Sequence, residues 1–374
     1  GELHLWSHQE GSSCGPGLGS ASGLGTTMRS GQRWRKARTH PAGAGEINSL
    51  ALLGSCLAAG CQDGSVRLFR MHRDAGAWML YSLLRLQHTS PGGRRSVGPA
   101  EGHAAEAAAS GAAPEDLEVM CVGLSVTSGA RNTQLLASGA QDGTVCLWSV
   151  ATGARLDTLH AHPGHKNWVM ALAMGRRGEE MLLLTGSFDR SVKVWVRRAD
   201  HQGAALSATT KAADGGNQGG HQGGSWVLEH TLLGHVDGVL AVELSRQRRL
   251  AYSGANDGVV RIWGLQRGEC LFVLQQHAKG VTAISQHLAS GCLVTGSEDG
   301  TVCLWGTASL AGPEERPREP PRCVSVLALK REGGDSREDG VDAEVLSIVP
   351  SADGTALFCG LDDGGIALLA DVPA

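Results

Sequence analysis

The sequence predicts an all-β chain built from one repeated four-stranded unit, and three observations predict it. A short motif recurs six times along the 374 residues. Glycine is abundant, at 54 residues, which is about twice its usual share. Nine tryptophans outnumber the four phenylalanines and two tyrosines together, so we expect the tryptophans to occupy particular positions of the repeat.

The recurring motif is a small residue, glycine, two variable residues, aspartate, usually a second glycine, and an alternating apolar run that ends in a large residue. Its copies span 59–69, 138–148, 185–195, 253–263, 295–305 and 359–369. Each copy keeps its first glycine and its aspartate, and the aspartate always stands six residues before the large residue. A partial seventh copy, GELHLW, occupies residues 1–6. Such a repeat indicates stacked units of one supersecondary structure.

Each copy of the motif is typical of a β-hairpin. The apolar run that ends in small-Gly is one strand, Asp-Gly is a tight turn that tolerates positive φ, and the following period-two run is the partner strand. Apolar stretches upstream, such as 169–174 and 239–244, predict a further strand in most units. Runs after the hairpin, such as 225–233 and 268–274, predict a fourth. A sheet of this kind cannot bury both faces alone, so we expect the units to stack.

Composition and charge exclude several classes of protein. The 33 basic and 37 acidic residues give a net charge of −4, which argues against nucleic acid or anionic lipid as a dominant electrostatic partner. No apolar run is long enough for a membrane-spanning helix. The N-terminal GELHLWSHQE lacks the basic and apolar regions of a signal peptide and is typical of the middle of a longer sequence. The ten cysteines form no CxxC pair, so we expect reduced core thiols and a cytoplasmic or nuclear location.

On these residues the sequence resembles the WD-repeat family of β-propellers over almost all of its length. That family carries Gly-His before the first strand of a blade, Ser or Thr in the second strand, Asp in the turn and Trp in the third strand. Three units have all four side-chain types, in the order given: His235, Ser253, Asp257, Trp263; His165, Thr185, Asp189, Trp195; and His277, Thr295, Asp299, Trp305. The resemblance implies that these residues are structural and that none is catalytic.

The sequence departs from the family pattern in the first and last full units. They have Ala59 and Phe69, and Cys359 and Leu369, at the hydroxyl and Trp positions, so we expect both blades to be looser. The unit around Trp148 has no His at the expected distance. Two closures are open: GELHLW completes the last blade of a six-bladed ring, or the chain is part of a seven-bladed propeller whose first blade is incomplete. We favour seven blades.

The spacing of the turn aspartates locates insertions between the strands. Successive aspartates from Asp63 to Asp363 are 79, 47, 68, 42 and 64 residues apart, and the 42-residue interval is a minimal blade. The excess lies in segments rich in Ala, Gly, Gln, Pro or charge, which bury too little apolar area to order themselves. We predict a single propeller domain over 1–374 with disordered insertions at about 8–30, 90–116, 199–224, 308–322 and 331–342.

Three further features have both a functional and a structural interpretation. The basic stretch 28–40 is compatible with RNA contact or a nuclear signal, but it falls where the outermost strand of a blade is expected, and basic residues protect edge strands. The cluster His160, His162 and His165 lacks a fourth ligand at zinc spacing. The glycine-rich segment 15–25 misses the spacing of a dinucleotide loop. We therefore expect a linker there, and neither a metal nor a cofactor.

One unit stands out on the face where, by resemblance, the family binds peptides. Among the residues before the turn aspartates Phe188 is the one aromatic, and Trp168 lies in the entering loop of the same unit, where two other units have glycine. Lys166 and Arg190 are close in sequence. We hypothesise that Trp168, Phe188, Lys166 and Arg190 bind an acidic or phosphorylated peptide. The alternative is that Trp168 packs between blades.

The resemblance favours a non-enzymatic scaffold that presents peptide-binding faces to other proteins, without membrane contact or a small-molecule substrate. No nucleophile–base pair, metal signature or phosphate loop stands out in the sequence. Two alternatives stay open: a substrate-recruiting subunit of a ubiquitin ligase, and an RNA-associated WD-repeat protein with an upstream zinc-finger segment. The first is weakened because Trp195-Val196-Arg197-Arg198 lacks the Asp of the Trp-Asp-x-Arg ending that relatives docking on cullin adaptors carry.

Overall fold

The computed structural model describes residues 2–9, 33–41, 46–74, 77–88, 117–126, 134–160, 163–197, 226–245, 249–287, 291–310, 319–329, 343–351 and 356–370. These residues form 25 β-strands and one turn of 3-10 helix at Ala308–Leu310. The strands make seven antiparallel sheets: five with four strands, one with three and one with two. The molecule is an all-β propeller, as the repeat predicts.

Five blades have four strands that pair in chain order. Blade I contains β3 (Ile47–Leu53), β4 (Cys56–Cys61), β5 (Ser65–Asp74) and β6 (Ala77–Gln87). Blade II contains β7 (Val119–Val126), β8 (Gln134–Ala140), β9 (Val145–Ser149) and β10 (Arg155–Leu159). Blade III contains β11 (Val169–Arg177), β12 (Glu180–Ser187), β13 (Ser191–Arg197) and β14 (Trp226–Leu233). Blade IV contains β15 (Val239–Leu244), β16 (Leu250–Ala255), β17 (Val259–Gly264) and β18 (Glu269–Gln275). Blade V contains β19 (Val281–Gln286), β20 (Leu293–Ser297), β21 (Thr301–Gly306) and β22 (Arg322–Ala328).

The two remaining sheets lie at the two ends of the described chain. Blade VI has three strands, β23 (Val345–Pro350), β24 (Ala356–Leu361) and β25 (Ile366–Ala370). At the other end β1 (Glu2–Gln9) pairs with β2 (Arg33–Pro41) in a sheet of their own. GELHLW therefore pairs with the basic stretch and not with blade VI among the described residues. This pairing is the one that the seven-bladed alternative requires.

The strand burial follows from stacking each sheet between two neighbours. Successive side chains of a strand point to opposite faces, so a strand covered on both faces shows no alternation. The second strands β8, β12 and β16 are buried almost throughout. The fourth strand β22 lies at the outer edge of blade V and alternates between exposed and half-buried residues. The nine cysteines among the described residues are free thiols, and most are buried in these strands.

In five of the six motif copies the glycine is explained by the close approach of the next blade. At Gly186 a Cβ atom would lie 2.7 Å from Val239 Cγ1 and 2.8 Å from Val242 Cγ1, both in the first strand of blade IV. The same contact recurs at four other interfaces, where a Cβ would meet the first-strand valine of the next blade at 2.8 Å or less: at Gly60, Gly139, Gly254 and Gly296. Only a residue without a side chain fits under these valines.

The insertions predicted at 90–116, 199–224 and 331–342 lie outside the described residues, as does most of 8–30. The first three residues of the fourth predicted insertion, 308–322, form a turn of 3-10 helix. Ala308–Leu310 form the 3-10 helix because Leu310 is buried and packs in one apolar cluster with Trp305 and Leu293. Residues 319–322 are also described and lead into β22.

Candidate interaction face

One face of the propeller is built from the loops that enter the first strands and the turns between second and third strands. In each of the six blades the residue before the turn aspartate donates its backbone N–H to a carbonyl of the entering loop. The six pairs are Gln62 to Glu46, Gln141 to Glu118, Phe188 to Trp168, Asn256 to Gly238, Glu298 to Gly280 and Asp362 to Glu344, at 2.8–3.2 Å. We call the surface formed by these pairs the entry face. The hydrogen bond shows which side chains are equivalent from blade to blade.

Beneath the entry face of blade III, four side chains form one hydrogen-bonded chain. The indole N–H of Trp195 donates to Thr185 Oγ1 at 3.1 Å. The same Thr185 hydroxyl is hydrogen-bonded to His165 Nε2 at 2.6 Å. His165 Nδ1–H then donates to Asp189 Oδ2 at 3.0 Å. This chain of hydrogen bonds ties the turn to the second and third strands.

Blades IV and V repeat this chain. In blade IV, His235 lies 3.1 Å from Asp257 and 2.7 Å from Ser253, which accepts from Trp263. In blade V, His277 bonds Thr295 and Thr301, and Asp299 lies 3.5 Å from its Nδ1. Burial lowers the pKa of His235 and of His277, and the neighbouring aspartates offset only part of that effect. Both imidazoles are therefore neutral at pH 7.

The turn aspartate of blade III is held as a carboxylate. Burial opposes its charge, but hydrogen bonds from His165, the Ser191 hydroxyl and the Lys166 backbone N–H outweigh burial and hold the pKa of Asp189 well below its usual range. A carboxylate whose lone pairs are occupied in this way is a fixed acceptor for the turn.

Trp168 and Phe188 form an aromatic pair on the entry face of blade III. Their ring centroids are 5.8 Å apart and their planes cross at 68°, in the edge-to-face geometry that aromatic rings favour. Both side chains are partly exposed. Phe188 also lies over Gly238 of blade IV, where a Cβ would come within 2.8 Å of its ring. The buried Trp168 Nε1 has no hydrogen-bond partner among the described residues. The pair thus contacts the neighbouring blade and also contributes to the surface.

A family model described as "WD domain, G-beta repeat" matches residues 118–149, 156–196, 226–264 and 268–306. These segments cover most of blades II to V, where the hydroxyl and Trp positions of the repeat are filled. Blades II to V of this chain are therefore WD repeats.

Two curated relatives and one solved structure are similar to this chain. The WD repeat-containing protein ATCSA-1 of Arabidopsis thaliana is 31% identical over 177 residues, which are 38% of this chain and 38% of that protein. The protein transport protein SEC13 of Mycosarcoma maydis is 27% identical over 262 residues, 66% of this chain and 64% of that protein. The chain thus spans less than two thirds of either relative. A structure titled "Structure of U3-55K" matches 88% of this chain and 78% of its own, with a TM-score of 0.55 and 22% identity, and shows the same fold.

Blade II contains a WD-repeat histidine that the sequence spacing misses. His88 is buried, with Nδ1 3.0 Å from Ser138 Oγ and Nε2 2.8 Å from Thr144 Oγ1. Trp148 Nε1 donates to the same Ser138 hydroxyl at 3.0 Å. No histidine lies at the expected distance, as the sequence indicates, because His88 and Ser138 are 50 residues apart, yet His88 fills the histidine position of the tetrad. His88 directly follows β6 and precedes residues 89–116, so counting back from the next strand passes over it, whereas counting forward from β6 finds it.

Blade I uses arginine where the WD repeat uses histidine. Arg67 Nη2 and Arg85 Nη2 both bond Asp63 Oδ2, and the Ser65 hydroxyl bonds Asp63 Oδ1. Burial opposes the charge of Asp63, but these hydrogen bonds outweigh burial and lower its pKa. The substitutions Ala59 and Phe69 remove the hydroxyl and the indole, and a different pair of donors holds the turn.

Blade VI replaces the polar chain with apolar contacts. Leu329 occupies the position of His88, because its backbone N–H donates to Gly300 as that of His88 donates to Gly64. Leu329, Cys359 and Leu369 are 0–5% exposed and belong to one apolar cluster. Histidine, hydroxyl and tryptophan are thus replaced together. No buried polar group of the tetrad is left without its partner.

Lys166 and Arg190 are the two cations of the predicted site, and both are exposed. Lys166 is exposed, and its charge adds to burial in lowering the pKa of Lys193, whose Nζ bonds Thr231 of the outer strand β14. The backbone N–H of Lys166 donates to Asp189 Oδ2 at 3.0 Å. Arg190 is exposed at the turn tip with a φ of 68°, where the other blades have glycine. Among the described residues no cation–π contact joins either cation to Trp168 or Phe188.

Within the described ranges, no three His, Cys, Asp or Glu side chains are grouped so that they could hold a metal ion. Of the histidine cluster, His160 is exposed, His165 belongs to the tetrad, and His162 lies outside the described residues. No helix in the described part of the chain is long and apolar enough to span a membrane.

Proposed function

We propose that this chain is a non-enzymatic scaffold that binds a partner peptide on its entry face, with Trp168 and Phe188 as the main contact residues. The observation that carries the proposal is the edge-to-face pair at two equivalent positions where the other five blades have Gln, Asn, Glu, Asp or Gly. Partly exposed tryptophan is the side chain most enriched among residues that dominate binding energy. The WD repeats of blades II to V support a role in protein interaction.

The charges around the pair support an acidic or phosphorylated group in the partner. Lys166 and Arg190 are exposed on the same blade, and Lys193 lies near Lys166. The backbone N–H of Lys166 donates to the turn aspartate Asp189, and Arg190 directly follows that aspartate in sequence. Carboxylates occupy the equivalent entry positions of other blades: Glu46, Glu118 and Glu344. The partner's acidic group is therefore expected over blade III, where like-charge repulsion is least.

A peptide array tests this function. Immobilised acidic, phosphorylated, neutral and basic peptides are probed with the wild-type chain, with Trp168→Ala and Phe188→Ala, and with Lys166→Glu. We expect retention on a subset of acidic or phosphorylated peptides, a loss of at least about tenfold for the aromatic variants, and a smaller loss for Lys166→Glu. Tyr81→Ala, which removes an exposed ring from β6, is the matched control and should bind as wild type does.

The array result is read together with the stability of each variant. Trp168→Ala is compared with wild type in thermal unfolding, because the ring also contacts Phe188. If the aromatic variants unfold earlier yet keep every peptide that wild type retains, the pair is a packing element and the binding proposal fails. Retention limited to basic peptides would contradict the charge assignment and leave the aromatic contact in place.

A further inference from the structure

The loop that joins blade III to blade IV, residues 233–236, carries the two most exposed large apolar side chains among the described residues. Val236 is 73% exposed and Leu233 is 69% exposed. A single exposed apolar residue is common on protein surfaces, but apolar residues that are exposed side by side mark interaction sites. These two are separated by only Gly234 and the buried His235.

Other blades have polar or small residues at both positions. Leu233 pairs with the residue two after its turn aspartate, and the equivalent residues in blades I, IV and V are Gln87, Gln275 and Ala328. Val236 donates its backbone N–H to the turn aspartate of blade IV, and the equivalent residues in blades III and V are Lys166 and Ala278. The repeat therefore does not need an apolar side chain at either position.

A guanidinium group lies directly against this loop. A Cβ atom on the exposed Gly234 would lie 3.2 Å from both Cζ and Nη1 of Arg261, a partly buried residue of β17. Burial lowers the pKa of His235, and the charge of Arg261 acts in the same direction. Because residue 234 has no side chain, the guanidinium group is left uncovered at this point of the loop.

Arg261 has no acidic partner in the part of the chain that the structure describes. At the equivalent position of blade I, Arg67 bonds the turn aspartate Asp63. Arg261 instead donates Nη1–H to Cys270 Sγ at 3.5 Å, and its buried Nε has no hydrogen-bond partner among the described residues. A partly buried cation is stabilised by a paired acidic group. The guanidinium group therefore has donors left for an acidic group from outside the chain.

The carboxylates of blade IV on this side are already occupied. Asp257 accepts from His235 Nδ1 and from the Val236 backbone N–H. Asp237 accepts from the Gly238 backbone N–H at 2.7 Å and from Asn256 Nδ2 at 2.8 Å. These hydrogen bonds leave both carboxylates in place and away from the guanidinium group of blade IV.

The loop also continues the surface of the aromatic pair. Phe188 lies over Gly238, which follows Val236 by two residues in the same entering loop. On the other side Leu233 pairs with Ser191, which directly follows Arg190. A peptide that lies on the aromatic pair therefore reaches the loop without leaving the entry face.

We propose that residues 233–236 and Arg261, together called the junction site, bind an acidic group and a neighbouring aliphatic side chain of the partner peptide. The acidic group pairs with Arg261, and the aliphatic side chain covers Leu233 and Val236. Covering these residues excludes water from the ion pair and so strengthens it. The inference rests on the proposed function, because it extends the contact of the same peptide from the aromatic pair to the next blade.

Substitutions made in both the peptide and the protein test the ion pair. Each acidic or phosphorylated peptide that wild type retains is resynthesised with single changes of Glu to Gln, Asp to Asn or phosphoserine to Ser, and its dissociation constant is measured. We expect one position whose change weakens wild-type binding about tenfold and weakens Arg261→Met binding less than about twofold. The residue at that position shows whether the ligand is a carboxylate or a phosphate.

Two further variants control for the loss of a cation and for folding. Arg261→Lys keeps the charge and should keep the dependence on that peptide position, so it serves if Arg261→Met unfolds. Arg267→Met, at an exposed arginine of the same blade, should bind every peptide as wild type does.

The aliphatic contact is tested in the same way. The double variant Leu233→Ser, Val236→Ser should bind the retained peptides about tenfold more weakly, because it removes the apolar area that the peptide covers. Changing the aliphatic residue next to the critical acidic position to Ser should then weaken its binding no further. Val227→Ser, at a residue 61% exposed on β14, is the control and should leave binding unchanged.

The outcomes separate this inference from the proposed function. If wild type retains no acidic or phosphorylated peptide, the proposed function fails and the junction site fails with it. If the aromatic variants lose peptides that wild type retains, but no peptide position depends on Arg261 or on the Leu233 and Val236 pair, the junction site alone is disproved.

Two measurements without peptide give the other occupants. If the double serine variant unfolds several degrees earlier than Val227→Ser, the chain itself covers the loop. If wild type sediments as a dimer and the double serine variant as a monomer, a second copy covers it. Either result would overturn the peptide site.

Discussion

Acidification is expected to destabilise the propeller through His88. Burial lowers the pKa of this imidazole to about 4, whereas an unfolded histidine has a pKa near 6.5. The unfolded chain therefore binds a proton more readily than the folded chain. The stability tied to a neutral His88 is fully present above pH 6.5 and is lost as pH falls from about 6.5 to about 4.

The size of the effect follows from the same two values. A difference of about 2.5 pKa units corresponds to about 3 kcal/mol at 1.36 kcal/mol per unit. Within the window the free energy of unfolding should fall by up to about 1.4 kcal/mol per pH unit on account of this one residue. His235 and His277, whose pKa values are also lowered, act in the same direction. The His88 contribution must therefore be isolated by difference.

The assay is urea unfolding at pH 7, 6, 5 and 4, followed by tryptophan fluorescence and by far-ultraviolet circular dichroism. His88→Gln retains a donor and an acceptor for Ser138 and Thr144 but does not titrate. We expect this variant to be less stable at pH 7 and to lose less stability between pH 6.5 and 4, by about 3 kcal/mol. His72→Gln, at an exposed position of β5, is the control. Parallel pH profiles for wild type and His88→Gln would refute the reasoning.

Two further predictions concern the arginine partners of Asp63 and the glycine of the motif. Arg67→Met should lower the free energy of unfolding by about 2 kcal/mol, measured by urea titration, because it removes the better buried of the two arginine partners of Asp63. Arg85→Met should lower it by less than about 1 kcal/mol in the same assay, because the Arg85 side chain is 61% exposed. Equal losses would contradict the burial argument. Gly186→Ala should cost about 1–3 kcal/mol because its Cβ would overlap Val239 and Val242. Gly264→Ala is the control, because a Cβ there would come no closer than 3.4 Å to another side chain. If Gly186→Ala were as stable as Gly264→Ala, close packing would not be the reason for the glycine at position 186.

Much of the fold was predictable because its determinants are close in sequence. The second-to-third hairpins, the positive φ after the turn aspartates and the tetrads of blades III to V all follow from residues within one motif copy or one blade. The sequence did not predict what the motif glycines contact. Their neighbours are valines of the next blade, which lie some 30 to 60 residues further along the chain. Because the two residues of such a contact are far apart in the sequence, no short motif contains both of them.

The candidate site was predictable only in part for the same reason. Trp168 and Phe188 were paired from the sequence because both flank one blade's tetrad, and their rings do meet. The equivalent entry positions Glu46, Glu118 and Glu344 could not be aligned, because insertions of different length precede the first strands and only the shared backbone hydrogen bond identifies them. Lys166 and Arg190 are exposed, and no cation–π contact with the aromatic pair is found among the described residues, so closeness in sequence did not predict such a contact.

The turn aspartate shows most clearly why one part of a WD repeat can be read from sequence and another cannot. In all six blades its Oδ1 accepts the backbone N–H two residues later, at 2.7–3.0 Å. That bond is local, so the same Asp-x-x geometry forms wherever the motif occurs. The second donor differs in every class of blade: an imidazole in blades III and IV, guanidinium groups in blade I, and Thr144 backed by His88 in blade II. Blade VI fills the histidine, hydroxyl and tryptophan positions with apolar side chains instead. All six blades therefore have a carboxylate at the turn, but its surroundings differ. Hydrogen-bond donors surround it in blades I to V, whereas in blade VI apolar side chains fill the other positions of the tetrad. A motif search finds the carboxylate, and only the folded chain shows what surrounds it in each blade.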